Sequence, residues 1–209
     1  MKSGPAKGGG RWVEISPNRM VGWLDGFYGR HEGVVEVGLL MCAANGDEAL
    51  LSPTAGMPEV TTIDEFLTEL KVARTLGFLL ARRGAVAVGV FRGDELVASK
   101  VERFYQQGRT AAGGWSQQRF ARRRANQTAA GVREAADIAA RVLLPSADSL
   151  DALVCGGDRG VVEEILADSR LEPLRGKRFE RLLEVPEPRR AVLEDALEAA
   201  RKVRIRLVP

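Results

Sequence analysis

The chain has 209 residues, of which 45% are apolar and 28% charged, a globular balance that excludes a largely disordered polymer. Lys and Arg number 31 against 28 Asp and Glu, a net charge of +3 that names no partner by itself. No run approaches the roughly eighteen uncharged apolar residues of a membrane span, and the opening MKSGPAKGGG lacks the apolar core of a secretory signal. Cys42 and Cys155 lie far apart without CxxC spacing, which excludes a disulfide framework or a zinc ribbon. A reduced, cytoplasmic setting is expected.

In chain order, residues 1–10 are rich in Gly, Lys and Pro and read as a flexible tail. RWVEI (11–15) reads as a short strand. Ser16-Pro17 then has the form of an N-cap followed by proline at the first helical position. Val21, Leu24 and Tyr28 have helical spacing and predict a helix to about Gly29. VVEVGLLM (34–41) and EALLS (48–52) read as strands around the turn signal Asn45-Gly46. Thr62 and Glu65 form a capping box. The helix that it opens is expected to carry Phe66, Leu70, Ala73 and Phe78 on one side and to close at Gly84.

AVAVGVF (85–91) and LVASKVERF (96–104) flank Arg92-Gly93-Asp94-Glu95 and predict a hairpin whose first strand is buried on both faces. The stretch 106–116 holds glycines and no apolar period, and reads as a loop. From Gln117 to Leu144 the spacing of Phe120, Ala129, Val132, Ala136, Ala139 and Leu143 predicts one long helix, stopped by Pro145. DALVCGG (151–157) reads as a buried strand, VVEEILAD as a helix and FERLLEV (179–185) as a further strand. A final helix over 188–202 faces inward through Val192, Leu193, Ala196 and Ala199. Together these elements predict an α/β protein with a mixed β-sheet flanked by helices.

The chemistry is constrained by what is scarce. His31 is the single histidine, so a Ser-His-Asp triad or a Cys-His pair would have to use it, and an HExxH zinc site is impossible. Its place after Gly29-Arg30 reads as a helix end, where a cation is mildly favoured. Gly156-Gly157-Asp158-Arg159-Gly160 lacks the Lys-Ser/Thr of a phosphate loop and reads as a tight structural turn. Asp47-Glu48 and Glu163-Glu164 are adjacent acids that do not converge on a metal. No metal and no organic cofactor is implied.

Charge distribution points elsewhere. Between Glu102 and Glu134 there is no acidic residue and no lysine, while Arg103, Arg109, Arg119, Arg122, Arg123, Arg124 and Arg133 are interleaved with Phe104, Tyr105, Trp115 and Phe120. The planar guanidinium fork matches phosphate oxygens and stacks on bases, so this block reads as a nucleic-acid surface. A solvated helix face would mix signs to gain i,i+4 pairs. The loop before the helix carries Gly113-Gly114, where the missing side chains permit close approach of another backbone or RNA. The helix start presents free N–H groups to an anion. Nothing in this loop is a strong acid or base near pH 7, so any catalysis there works by placing water and donating hydrogen bonds.

These residues resemble a known arrangement. Gly113-Gly114, Ser116 and Arg119-Phe120 at the mouth of a long helix are similar to the middle domain of archaeal and eukaryotic class I peptide release factors. That domain carries Gly-Gly-Gln, then Ser, then Arg-Phe after a strand hairpin. The likeness continues through VCGGD (154–158) and spans about residues 85–205. GRTAAGGWSQQRFARRR resembles still more closely the release-factor-like domain of the Vms/ANKZF family and its actinobacterial relatives, peptidyl-tRNA hydrolases that use a Gly-Ser-Gln loop.

The resemblance implies an RNase H-like mixed sheet over 85–209 as the hydrolase domain, with 11–84 as an extension packed on it. It implies hydrolysis of the ester between nascent peptide and tRNA at the peptidyl-transferase centre of the large ribosomal subunit. That activity would be independent of a codon, because the chain is too short to include a stop-codon reader. Trp115 stands where an ungapped reading puts the release-factor glutamine. Aligning on Ser-Gln instead makes Gln117 the counterpart, with Gln118 the next choice. Gly113, Gly114 and Ser116 would support the loop, and Arg109, Arg119, Arg122, Arg123 and Arg124 would grip RNA phosphates. A monomer with neither membrane nor DNA partners is expected. Two other readings stand beside it: a non-catalytic ribosome- or RNA-binding factor, and a nuclease cutting the tRNA acceptor end.

Overall fold

The structure is a computed structural model that describes residues 3–6, 9–104 and 116–209, with the backbone alone over 116–128. The chain divides into two units, Met1–Ala73 with Glu198–Pro209, and Arg74–Leu197. Both are built from strands and helices, and the protein is a mixed α/β molecule as the sequence predicts.

In the first unit, β1 (Ser3–Pro5) lies inside the glycine-rich opening and pairs antiparallel with β2 (Arg11–Ile15). Ser16-Pro17 starts a 3-10 turn, Pro17–Arg19, that runs into α1 (Met20–Tyr28). The buried stripe of α1 is Met20, Leu24 and Phe27, whereas Val21 and Tyr28 are exposed. The buried face is therefore rotated by one position from the predicted one. The Tyr28 hydroxyl donates to the Glu36 carboxylate, and its own pKa is pushed up to about 12 by burial and by that neighbour.

The predicted strand 34–41 is broken at Gly38, whose φ of +63° turns the chain between β3 (Val35–Val37) and β4 (Leu40–Cys42). Asn45-Gly46 makes the expected turn into β5 (Glu48–Ser52), with Gly46 at φ +94°. Thr62 caps α2 (Ile63–Glu69) by accepting from the Glu65 N–H at 3.1 Å. The Glu65 carboxylate reaches Thr61 instead, accepting from its N–H at 2.8 Å and its hydroxyl at 3.0 Å, which holds its pKa below the usual value.

The helix does not continue to Gly84. It ends at Glu69, and β6 (Thr75–Arg82) follows. Leu76, Phe78, Leu79, Leu80 and Ala81 are all buried. A helix would bury one stripe of this run, but a central strand buries both faces. Gly84, at φ +90°, is the turn into β7 (Ala85–Arg92) rather than a helix cap. Gly93 then turns β7 into β8 (Glu95–Arg103), the predicted hairpin.

α3 (Ser116–Leu143) matches the predicted long helix to within a residue. Leu144 and Pro145 pass it into a 3-10 turn ahead of β9 (Ala152–Gly157), which runs parallel to β6. α4 (Arg159–Leu166) is capped by Asp158, whose Oδ1 accepts from Gly160 N–H at 2.9 Å and Val161 N–H at 3.4 Å. A carboxylate thus already occupies the amides that a phosphate would need, consistent with a structural turn. A short helix, α5 (Glu172–Arg175), follows.

FERLLEV forms no strand. Phe179 and Leu183 both bond the edge of β9, at Leu153 and Cys155, each at 2.9 Å. The segment advances from Phe179 to Leu183 while β9 advances only from Leu153 to Cys155, so the intervening residues bulge out of register. The last helix, α6 (Arg190–Arg201), matches expectation in type, and β10 (Val203–Val208) closes the chain with a strand the sequence reading did not predict.

The first unit's sheet has the order β1-β2-β10-β5-β4-β3, all antiparallel, over a core that includes Val13, Leu24, Phe27, Met41, Phe66 and Ile205. Across β2 and β10, Arg204 lies 3.5 Å from Glu14 and 4.1 Å over the Trp12 ring. The second unit's sheet has the order β8-β7-β6-β9. α3 and α4 pack on one side of it through Leu79, Val86, Val88, Ala139, Leu143 and Ile165. Phe78 and Phe91 meet edge to face at 5.4 Å.

Gly157 ends β9 at φ +97°, and a Cβ there would stand 2.2 Å from the Ala81 carbonyl oxygen. Gly157→Ala is therefore expected to destabilise the fold by about 2 kcal/mol or more, read as a lowered midpoint in urea.

Candidate functional site

The arginine block predicted to meet RNA belongs to α3 and to the segment before it. Ser116 is the first residue of α3, Gln117 and Gln118 lie in its first turn, and Arg119, Arg122, Arg123 and Arg124 occupy the next two turns. Arg109, Gly113 and Gly114 lie outside the described residues. What the structure describes in detail is the base from which this helix rises.

That base is apolar and close-fitting. Ala135, Ala136, Ile138, Ala139, Ala140 and Leu143 are buried against the sheet and α4. Small side chains at four of these positions let the helix lie close to the strands, while Ile138 and Leu143 fill the spaces between. Near the middle of α3, Gly131 faces Phe104, the last described residue before the predicted loop. A Cβ at Gly131 would lie 3.3 Å from the Phe104 ring. Phe104 is itself held, donating its N–H to the Gly84 carbonyl at 2.8 Å. The chain is therefore anchored at Phe104, by Gly84 on one side and Gly131 on the other.

A polar clamp secures the same half of the helix. Arg170 donates to Asp137 on α3 at 2.7 Å and to both oxygens of Asp168, at 2.9 and 2.7 Å. Asp168 also accepts from the Arg170 N–H at 3.0 Å, capping the 3-10 turn that begins there. These bonds hold the Asp168 carboxyl down at about 2. Sequence reasoning missed this clamp: the Asp-Ser-Arg turn is visible locally, but its link to Asp137 joins residues distant along the chain.

Among the described residues, the remaining titratable groups offer little nucleophilic chemistry. Cys155 is fully buried in β9, and that burial pushes its thiol up to about 11. It is thus a packing group in its thiol form at neutral pH. Glu163 pairs with Arg178 at 2.7 Å, which keeps that carboxylate ionised, and Glu164 is exposed on α4. His31 belongs to the first unit, just beyond α1, with its Nδ1 3.4 Å from an Asp47 oxygen. Among the described residues no cluster of three or more His, Cys, Asp or Glu side chains is placed to hold a metal ion. No described helix is long and apolar enough to cross a membrane.

The second unit is thus an α/β domain that roots a long arginine-bearing helix in a mixed sheet. The chain belongs to the Actinobacteria/Chloroflexi VLRF1 release-factor family, whose model matches residues 74–206 and so begins with the second unit. No curated protein matches the chain by sequence. Among solved structures it is similar to an archaeal translation termination factor, aRF1, at 15% identity and a TM-score of 0.47, covering 77% of this chain and 46% of that one. Another, described as an archaeal protein, is 15% identical with a TM-score of 0.44, covering 75% of this chain and 48% of that one. The chain spans a little under half the length of these two structures.

The depressed Asp168 pKa sets a sign for the clamp. Stability from this carboxylate is fully present above the ordinary carboxylate range and is lost as pH falls toward about 2. Asp168→Asn should lower the melting temperature at neutral pH, and the gap to the unsubstituted protein should close through that acid window.

Proposed function

We propose that this chain releases nascent peptide from peptidyl-tRNA at the large ribosomal subunit, without reading a codon, in the rescue of stalled translation. Membership of a release-factor family carries the reading. The run from Arg103 to Arg133, which holds arginines and neither acid nor lysine, supports RNA as the surface engaged. Arg109, Arg119, Arg122, Arg123 and Arg124 grip ribosomal or tRNA phosphates and deliver the segment containing Gly113-Gly114 to the ester.

Gln117, with Gln118 as the alternative, places a water against the ester carbonyl. The water oxygen attacks the carbonyl carbon, the acyl–oxygen bond breaks, and the terminal ribose hydroxyl of tRNA leaves with a proton. The peptide departs with a free carboxyl group. An amide does not titrate near neutrality, so proton transfers pass through RNA hydroxyls and solvent, and the protein contributes position. The reaction needs no cofactor. The protein acts as a cytoplasmic monomer, with Ser116 and the glycines shaping the approach.

Peptide release from a purified, stalled large-subunit complex tests the assignment. Gln117→Ala should slow release by about 10²–10³-fold while Gln118→Ala changes it little. Equal rates for the unsubstituted protein and both variants would remove the glutamine from the chemistry. Intact subunit binding with no hydrolysis by any form would identify a binding factor, and shortened tRNA would identify a nuclease.

The arginines are tested separately. Replacing Arg122 and Arg123 with alanine should weaken subunit binding and flatten the plot of log K against log salt, by about 0.7–0.9 for each phosphate that the protein no longer neutralises.

A further inference from the structure

The first unit contains a cavity that the release reading leaves unused. It is a solvent-open cavity of about 600 Å³, within the range of roughly 300–1,000 Å³ typical of small-ligand sites. One wall is a column of rings spaced four residues apart along and just beyond α1. Trp23 and Phe27 stack with centroids 5.7 Å apart and planes 22° apart, and Phe27 meets the His31 ring at 4.4 Å. Asp47 also lines the cavity, and its Oδ2 lies 3.4 Å from the His31 Nδ1. That buried nitrogen makes no hydrogen bond. Arg11 and Arg30, both exposed, also line it.

This combination has a chemical meaning. Stacked rings bind a flat aromatic face, a carboxylate accepts from an amino group, and guanidiniums hold phosphate. Asp47 already accepts from the Asn45 side chain at 3.0 Å through Oδ2, which orients the carboxylate without exhausting its acceptor sites. A cationic ligand would gain from Asp47 and Glu48, but Arg11 and Arg30 in the same lining would oppose it. A ligand with an amino-bearing ring at one end and an anion at the other answers all of these groups.

We infer that this cavity binds a nucleotide whose base carries an exocyclic amino group. The base stacks on the Trp23–Phe27 wall, its amino group donates to Asp47, and its phosphate meets Arg11 and Arg30. The inference rests on the first unit alone and stands or falls independently of peptide release.

Titration calorimetry on the full chain tests it with GMP, AMP, CMP and UMP. At least one of the three amino-bearing nucleotides should bind about tenfold or more tightly than UMP, whose base has no amino group. Asp47→Ala, which leaves no acceptor at that position, should remove that preference while changing UMP least. Trp23→Leu should weaken every nucleotide, and far-ultraviolet circular dichroism checks that both variants are folded.

Comparing a mononucleotide with a short single-stranded RNA of the same base distinguishes the source. A much tighter RNA that still depends on Asp47 indicates a nucleotide within a chain, and equal affinities indicate a free one. Absence of binding by all four nucleotides overturns the inference. So does binding that ignores Asp47→Ala, or a cavity occupied by arginine methyl ester in preference to any nucleotide.

Discussion

The second unit depends on the fit between α3 and the sheet beneath it. Alanines at 135, 136, 139 and 140 bring the helix axis close to the strands, and Leu143 and Ile138 lock its rotation. Each large apolar side chain buried there contributes about 1.5–3 kcal/mol. The Arg170 clamp is exposed and adds less stability, but its bonds to Asp137 and Asp168 resist twisting of the helix. A helix of 28 residues rises about 42 Å, so a small rotation at its base becomes a large displacement at its start.

The sequence made the periodic elements legible and hid those decided by tertiary surroundings. α3, the β7–β8 hairpin and β9 are plain because their apolar spacing, glycine turns and flanking polar residues all agree. TLGFLLAR misleads because a short apolar run fits a helix or a buried strand equally well. Pairing with β7 on one side and β9 on the other decides it, and neither neighbour can be read from the run itself. FERLLEV alternates well enough for a strand, yet the spacing of its two anchors on β9 forces a bulge.

The candidate site is legible as composition, since a stretch without acids or lysines stands out in any linear reading. Its support is not. The Phe104–Gly131 packing and the Asp137–Arg170 pair join positions that no motif links. The cavity of the first unit is equally hidden. In the sequence His31 is visible only as a helix-end residue, and its neighbours Phe27 and Asp47 come from a helix and a turn that fold around it.

One feature of the first sheet bears on synthesis. β10 sits between β2 and β5, yet the chain makes it only after the entire intervening unit. As the polypeptide emerges, β2 and β5 must wait with a vacant place between them, their facing amides and carbonyls answered by water. The inserted unit has its own complete set of strands before that place is filled. The pairings of β2 and β5 with β10 therefore join strands made before the second unit to one made after it, while β1–β2 and β3–β4–β5 need no such wait.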